Sequence, residues 1–354
     1  MSLPIPIPLP TPPLSRAAPP GAAAARWRAA ACTLLLGALM LAPAAAATRF
    51  ITLGSGSTAG LYYPTGEGLA KIVNDAGIDV RIGVRSTGGS VFNARAIQDG
   101  ALQMAVMQNN IAYFAYRGSG IAAFAGRPTR ALRGLATLYP EVLHIVARAD
   151  SGIRTPADLR GRAVYVGDTG SGPEQDAIAV LALYGLTLSD LKTVVRGSAG
   201  NAVNLLRDGK IDALFYTVGV GSPAIVEAAQ TTPITLVPLA PDKIAALHAR
   251  HPYYTGSAIP ADAYPKLHTA TPAIAVKAML VASTALPAVD VERILRVLLH
   301  DHLDALYNNV PNPNLKLSFK VDNALDAMPI PLHAGAVAFY KSIGIQVPAA
   351  LIAD

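Results

Sequence analysis

The sequence predicts an α/β protein with two lobes that face each other across a cleft. Two segments share one pattern, Gly89–Gln108 and Ser198–Thr217: an amphipathic helix, an Asp-Gly pair and a short apolar strand. Each half of the chain also opens with a glycine loop that leads from a strand into a helix, at Arg49–Ala70 and Arg162–Gly185. Because Gly is a typical helix stop and a prompt return strand suits a βαβ unit, these repeats predict one architecture used twice.

The first 47 residues differ from the rest and predict an export signal. Two arginines precede an apolar run, Ala29 to Ala42, which is long enough for a signal-peptide core and short for a membrane span. Ala45-Ala46-Ala47 then resembles a cleavage site, so we expect cleavage near Ala47 and a periplasmic, soluble product. An uncleaved membrane anchor is one alternative. A lipoprotein attached at Cys32 is another, disfavoured because most of the apolar run follows the cysteine.

Composition excludes several classes of function. If cleavage follows Ala47, 307 residues remain, they contain no cysteine, and the net charge falls from +6 to +3 because the leader holds three arginines and no acid. Such a chain uses neither a disulfide nor a thiolate. Its basic residues are scattered rather than gathered with aromatic residues, so we expect no nucleic-acid partner. About 300 residues are typical of two domains or lobes.

The domain prediction places a two-strand hinge between the lobes. The apolar segment Glu141–Gly152 is expected to pair with Ala273–Pro287. Lobe one then spans 48–145 with about 273–354, lobe two spans 150–245, and 246–272 connect them. A C-terminal helix is expected from Pro287, with a core-facing stripe at Val291, Ile294, Leu295 and Leu298.

Three glycine loops that open helices are candidate anion sites: Gly56–Gly60, Ser86–Ser90 and Gly170–Gly172. A helix start presents free backbone N–H groups and a partial positive charge, which suit carboxylate or phosphate. A dinucleotide site is disfavoured because the second strand ends in Arg85-Ser86 rather than in an acid, and no G-K-[ST] follows to make a P-loop. Plain N-caps and turns remain the alternative for each loop.

Other polar residues are expected to share the cleft. Gln108, Asn109 and Asn110 follow the lobe-one strand, at the strand end where α/β folds bind ligands. Tyr139 and Glu141 stand at the start of the hinge. Tyr216 and Thr217 occupy the equivalent strand end in lobe two. The tyrosines would grip an aliphatic stem, or are simply half-buried packing.

Catalytic and metal motifs are weak, so we expect neither an enzyme nor a cofactor or metal. The sequence has no His-Glu-x-x-His, no G-x-S-x-G and no paired cysteines. His248 and His251 can share a helix face, but no acidic third ligand is apparent. An exported enzyme with Glu141 or Glu174 as base, and a ligand-binding sensor or adaptor, remain the alternatives to transport.

Taken in order, the motifs resemble the TAXI-type substrate-binding proteins of tripartite ATP-independent periplasmic (TRAP) transporters. The resemblance runs from about Ile51 to Ala349 and is carried by "GSGSTAGLYYPTGEGLA", "RSTGGSVFNARAIQDG", "LYPEVLHIVARADSGI", "ADLRGRAVYVGDTGSG", "LRDGKIDALFYT", "YPKLHTATPAIAVKAMLVASTALP" and "MPIPLHAGAVAFY". It implies a two-lobed type II periplasmic binding protein fold that closes on a small anionic solute, often glutamate, glutamine or a related carboxylate. It also implies delivery to a TRAP membrane permease driven by an ion gradient. We expect a monomer.

The resemblance implies a set of ligand-facing residues, to which the hinge carboxylate Glu141 is added from its position. The implied residues are Ser57, Thr58, Tyr62, Thr87, Gly88, Gly89, Ser90, Asn93, Gln108, Asn109, Tyr139, Ser171, Gly172 and Tyr216. The chain departs from the family pattern at Asn110, where an acid is frequent, and at Pro173, where a small or hydroxyl residue is usual. Both departures leave the identity of the carboxylate open.

Overall fold

The computed structural model describes residues 48–251 and 253–353, together with Thr11. The predicted signal segment therefore lies outside the described residues. Thr48–Asp354 forms one compact unit. Within the part of the chain that is described, no helix has both the length and the apolar character needed to cross a membrane.

Lobe one begins with strands and helices in alternation. Its elements are β1 (Arg49–Gly54), α1 (Tyr62–Asp75), β2 (Val80–Arg85), α2 (Ser90–Gln98), β3 (Met104–Gln108) and α3 (Asn109–Arg117). Strands β2 and β3 flank β1, and both run parallel to it. Since β3 is buried along its whole length, it reads as an apolar run rather than as an alternating strand.

Lobe two repeats this arrangement. Its elements are β5 (Ala163–Tyr165), α4 (Gly172–Leu183), β6 (Thr193–Val195), α5 (Ala199–Arg207), β7 (Ala213–Val218), α6 (Pro223–Thr231), β8 (Ile234–Leu236) and α7 (Pro241–Arg250). Here β6 and β7 flank β5 in parallel, as β2 and β3 flank β1. The predicted repeat is confirmed: the α2–β3 unit corresponds to α5–β7, and Gly100 and Gly209 both follow their helices with positive φ.

Two long antiparallel strands, β4 (Leu132–Arg148) and β10 (Thr271–Ser283), join the lobes. With β9 (Thr255–Ile259) paired to β10 and β8 paired to β4, they complete a ten-stranded sheet whose main order is β2-β1-β3-β10-β4-β7-β5-β6. Strand β4 pairs with β10 as far as Val142 and with β7 from Val142 onward. The predicted pairing of the two hinge segments is confirmed only at its start, where Glu141 and Val142 face Val276 and Ala275. Beyond this point the first segment pairs with β7 and β8, while β10 pairs with the earlier part of β4, so the chain crosses between lobes beside Glu141.

The C-terminal helices pack on the core of lobe one. They are α8 (Ala288–Arg296), α9 (Leu303–Asn309), α10 (Pro313–Ser318) and α11 (Ala334–Ser342). The single helix expected after Pro287 is interrupted by a π-helical turn, Val297–Asp301, although its four predicted core residues are all buried. Leu53, Leu280 and Phe339 belong to one hydrophobic cluster, and Val164 and Phe215 to a second cluster in lobe two. The exact lobe boundaries remain a prediction.

Candidate functional site

A cavity of about 50 Å³ lies between the two lobes. We call it the cleft cavity and define it by its lining residues: Gly56, Ser57, Gly60, Leu61, Tyr62, Gly88, Gly89, Ser90, Gln108, Glu141, Tyr165, Asp168, Ser171, Gly172, Pro173, Ala199, Tyr216, Thr217 and Val218. Since one buried water needs roughly 10–15 Å³, the cavity has room for a few waters or a small solute. All three predicted glycine loops contribute to its wall.

The first glycine loop leads from β1 into α1. Gly60 N donates to Ser57 O at 3.0 Å, and Ser57 Oγ accepts from Ala59 N at 3.3 Å, so the loop is a tight turn held by its own bonds. The helix then starts after Leu61, which provides no side-chain cap. The start of α1 therefore brings uncapped backbone to the cavity, as the anion hypothesis requires.

The second helix start, that of α2, is already engaged by the other lobe. Val91 N and Phe92 N donate to Gly170 O at 3.1 and 3.3 Å. These bonds join lobe one to the glycine loop of lobe two and hold the cleft closed. Two of the free donors of α2 are consequently used for closure and not for a ligand.

The third helix start, that of α4, carries an acid of its own. Ser171 Oγ accepts from Glu174 N at 3.2 Å, and Pro173 has no N–H to offer. The Glu174 carboxylate accepts from Gly170 N at 3.1 Å and from Arg196 Nε at 2.5 Å. The positive end of this helix is thus partly neutralised by the protein itself.

Glu141 forms part of the cavity wall at the crossover of β4. Its side chain is 2% exposed, and Oε2 accepts from Tyr62 OH at 2.6 Å. Burial raises the pKa of the Glu141 carboxyl to about 8, against the lowering effect of the Tyr62 hydrogen bond. The carboxyl is consequently neutral for the most part at pH 7 in this arrangement.

A second buried acid, Asp176 on α4, binds two residues of lobe one and one residue of the connecting segment. Its carboxylate accepts from Gln108 Nε2 at 3.1 Å, from Asn110 Nδ2 at 2.9 Å and from Tyr254 OH at 2.6 Å. Burial raises the pKa of Asp176, and these hydrogen bonds act against the rise. The network links α4 to β3 and α3 across the cleft, and it explains why an amide at Asn110 suits this position.

The cleft cavity lacks the cationic side chains that an anion site would be expected to have in its described wall. Two carboxylic acids line it, Glu141 and Asp168, and its described lining includes no lysine, arginine or histidine. Burial also raises the pKa of Asp168, with the nearby Glu174 adding to the rise. The positive potential available to a solute therefore comes from backbone N–H groups alone.

The structure brings ten of the fifteen predicted site residues to the cavity wall. These are Ser57, Tyr62, Gly88, Gly89, Ser90, Gln108, Glu141, Ser171, Gly172 and Tyr216. Gly172 makes the closest approach: a Cβ built on it would lie 1.7 Å from Gln108 Oε1. A larger residue at this position would therefore displace the Gln108 side chain or part α4 from β3.

Five predicted residues lie outside the cavity wall. Thr58 is exposed, and Tyr139 is fully buried. Thr87 and Asn93 bind each other (Oγ1 to Oδ1, 2.8 Å), and both donate to Ser55 O, so they brace the loop behind the wall. Asn109 accepts from Lys277 N at 3.1 Å, which ties α3 to β10. Direct contact between these five residues and a solute stays a prediction.

Sequence reasoning left out several wall residues, chiefly Tyr165, Asp168 and Ala199. Asp168 stands in the quoted motif "VGDTGSG", between β5 and α4, at the position that corresponds to the first glycine loop in lobe one. A comparison of the two halves of the chain could therefore have identified Asp168 as a wall residue. Nothing in the local sequence distinguishes Tyr165, whose OH donates to Gly197 O at 2.8 Å.

Two α/β lobes, the strands β4 and β10 that join them and a cavity between them are the features of the two-lobed architecture of periplasmic binding proteins. Residues 53–344 match the model of the NMT1-like family, and the chain therefore belongs to the NMT1-like family. The TAXI type named from the motifs is a finer assignment, and it stays a prediction.

The chain also has distant similarity to several solved structures. The aliphatic sulphonate binding protein SsuA from Escherichia coli is 15% identical, with 83% of each chain covered and a TM-score of 0.43. A binding protein component of an ABC phosphonate transporter from Pseudomonas aeruginosa is 13% identical, with 74% of this chain and 78% of that chain covered and a TM-score of 0.44. PhnD1 from Prochlorococcus marinus, in complex with methylphosphonate, is 11% identical, with coverages of 72% and 85% and a TM-score of 0.48.

Proposed function

We propose that this protein is an extracytoplasmic solute-binding protein without catalytic activity. It encloses a small carboxylate-bearing solute between its lobes and presents it to a membrane permease. One observation carries the proposal: a cavity with walls from both lobes, closed by hydrogen bonds such as Val91 N to Gly170 O and Gln108 Nε2 to Asp176. Such closure removes water from the solute and strengthens the hydrogen bonds that hold it.

The start of α1 is the best place for the carboxylate of the solute. It brings an uncapped helix end to the cavity, with Gly60 and Leu61 in the wall, whereas the starts of α2 and α4 are engaged by Gly170 and Glu174. Charge-assisted hydrogen bonds are worth about 1.5–3 kcal/mol each. After the free energy lost in ordering the solute and its site is subtracted, a few such bonds support an affinity that is roughly micromolar.

The resemblance of the motifs to TAXI-type proteins favours a TRAP permease driven by an ion gradient, and a periplasmic, monomeric binding protein. The binding components of ABC transporters offer the other class of permease. Uptake into vesicles that contain the cognate permease separates them: stimulation by an imposed sodium or proton gradient without ATP supports the TRAP type, and a strict requirement for ATP contradicts it.

Isothermal titration calorimetry of the purified protein tests the proposed function. The probes are C4–C6 dicarboxylates and the acidic and amide amino acids, with thermal unfolding as a second readout. We expect saturable heat and a rise in melting temperature with at least one of them. Absence of both effects with every probe, from protein that unfolds cooperatively, would contradict the proposal.

A further inference from the structure

A second cavity, of about 510 Å³, lies where α3 meets the segment that follows α7. Its volume falls in the range of about 300–1,000 Å³ that is usual for small-molecule sites. The described walls of this cavity and of the cleft cavity have no residue in common. We call it the aromatic pocket and define it by its principal lining residues: Tyr113, Phe114, Arg250, His251, Tyr253 and residues 327–329.

The wall of the aromatic pocket is built from rings that already interact in pairs. Phe114 meets Tyr253 edge to face with ring centroids 5.3 Å apart, and the Tyr113 ring lies 5.8 Å from that of Tyr253. The His251 ring stacks on Tyr253 at 5.4 Å, and Tyr253 OH and His251 Nδ1 share a hydrogen bond of 2.9 Å. Rings fixed in this way offer preformed faces and edges to a planar aromatic ligand.

The charged side chain of the pocket wall is a cation. Arg250, exposed at the end of α7, contributes to the wall, whose described residues include no aspartate or glutamate. Among the ion pairs of the described residues, none involves Arg250, so its guanidinium is available to a ligand. Arg117 adds positive charge nearby, with Cζ 5.8 Å from the centroid of the Tyr113 ring. Guanidinium groups bind carboxylates through paired, charge-assisted hydrogen bonds.

Two acids near the pocket do not cancel this charge. Asp326 is exposed and does not line the pocket, so water and salt screen it. Asp176 is buried and already accepts from Tyr254 OH at 2.6 Å and from two side-chain amides. Burial, together with the neighbouring Arg250, lowers the pKa of His251, so its imidazole is neutral at pH 7. One cation in the wall therefore favours a ligand with one anionic group.

We propose that the aromatic pocket is a second ligand site, separate from the cleft, for a small aromatic or heteroaromatic monocarboxylate. The ring of the ligand packs among Tyr113, Phe114 and Tyr253, and its carboxylate pairs with Arg250. Such a ligand is too large for the closed cleft cavity of about 50 Å³, since even benzene needs a cavity of about 150 Å³. The proposal goes beyond the transport function and does not depend on which solute the cleft encloses.

The test measures calorimetry and thermal unfolding of the purified protein with benzoate and indole-3-carboxylate as probes. Benzamide, which lacks the charge, and cyclohexanecarboxylate, which lacks the aromatic ring, are the comparison compounds. The measurements are repeated on Arg250→Met and Tyr113→Leu, which remove the cation and one ring. Arg154→Met is the matched control, because Arg154 is exposed and lines neither cavity.

We expect at least one aromatic acid to bind with saturable heat and to raise the melting temperature. The comparison compounds should bind about fivefold or more weakly. Arg250→Met and Tyr113→Leu should each lower the affinity for the aromatic acid by a similar factor while unfolding stays cooperative, and Arg154→Met should bind as the wild type does.

Absence of binding by both aromatic acids would overturn the inference. So would binding that either Arg250→Met or Tyr113→Leu leaves unchanged, because the probe would then lie elsewhere. Both results leave the proposed function standing, since that function is tested with aliphatic probes in the cleft.

Discussion

Glu141 combines three properties that rarely occur together in a residue with a purely structural role. It is buried, it lies at the crossover of β4, and burial raises its pKa to about 8. Perturbed carboxyls of this kind cluster at functional sites. The free energy of unfolding that is lost when the buried Glu141 carboxyl ionises can be measured without knowing the solute.

The pH dependence of stability should report the burial of Glu141. Its folded pKa, about 8, lies above the ordinary value of 4.5, so between these values the folded protein holds a proton that the unfolded chain has released. Stability attributable to Glu141 is therefore full below about pH 4.5 and falls as pH rises toward 8. Between pH 5 and pH 9, we expect wild type to lose roughly 3–5 kcal/mol relative to Glu141→Gln, measured by urea unfolding.

Asp304→Asn is the control for that measurement, since it removes an exposed acid. Its stability should follow the wild type at every pH. Parallel pH profiles for wild type and Glu141→Gln would show that the carboxyl titrates in the folded protein as it does in the unfolded chain.

At the scale of elements, the helix starts were expected to act together on one anion. All three do meet at the cavity, but α2 donates to Gly170 and α4 is occupied by Glu174. The same loops therefore close the lobes on each other. Two substitutions on α4 distinguish this closing role from a structural role within lobe two.

Gly172→Ala should prevent full closure. The added Cβ would approach Gln108 Oε1 to 1.7 Å, so either the two lobes must separate or the Gln108 side chain must leave its bond to Asp176. We expect a larger radius of gyration in small-angle X-ray scattering and an affinity lowered by about tenfold or more. Gly83→Ala on β2, where a Cβ meets nothing within 4 Å, should behave as wild type. Identical scattering from both variants would show that the Gln108 side chain moves aside and the lobes stay closed.

Asp176→Asn should weaken the network across the cleft. An amide at this position turns an N–H₂ toward at least one of the donors Gln108, Asn110 and Tyr254. We expect a loss of about 2–3 kcal/mol in the free energy of unfolding, measured in urea at pH 7. A variant as stable as wild type would mean that Asp176 is protonated and already shares its proton within the network.

At the scale of the whole molecule, one sheet serves both lobes. Strands β4 and β10 pass through its middle, so any opening of the cleft must bend or twist these two strands. The register of β10 against β4 shifts between Lys277 and Met279, opposite the Pro140 that precedes Glu141. An irregular ladder at the crossover is a natural place for such bending.

Residues 48–354, expressed alone, should fold. Thr48–Asp354 forms a compact unit that contains all the described strands and the entire cavity wall. We expect a single cooperative transition in circular dichroism, with a melting temperature within about 2 °C of the full-length chain, a shift that corresponds to roughly 1 kcal/mol for a chain of this size. A broad, non-cooperative transition would show that the fold requires the first 47 residues.

The sequence by itself determined the elements and their repetition. Helix, Asp-Gly stop and apolar strand are local signals, and they repeat in Gly89–Gln108 and Ser198–Thr217 because each half must build the same βαβ unit. The glycine loops were recognisable from the local strand–loop–helix pattern, and Glu141 from its position at the start of the hinge segment. Only the tertiary structure decided which groups are free to meet a solute. Gly170 reaches α2, Glu174 occupies the start of α4, and the Asp176 network leaves Gln108 Oε1 unpaired. These contacts join residues far apart in the chain, and their hydrogen bonds and burial depend on closure of the lobes, which local patterning does not encode.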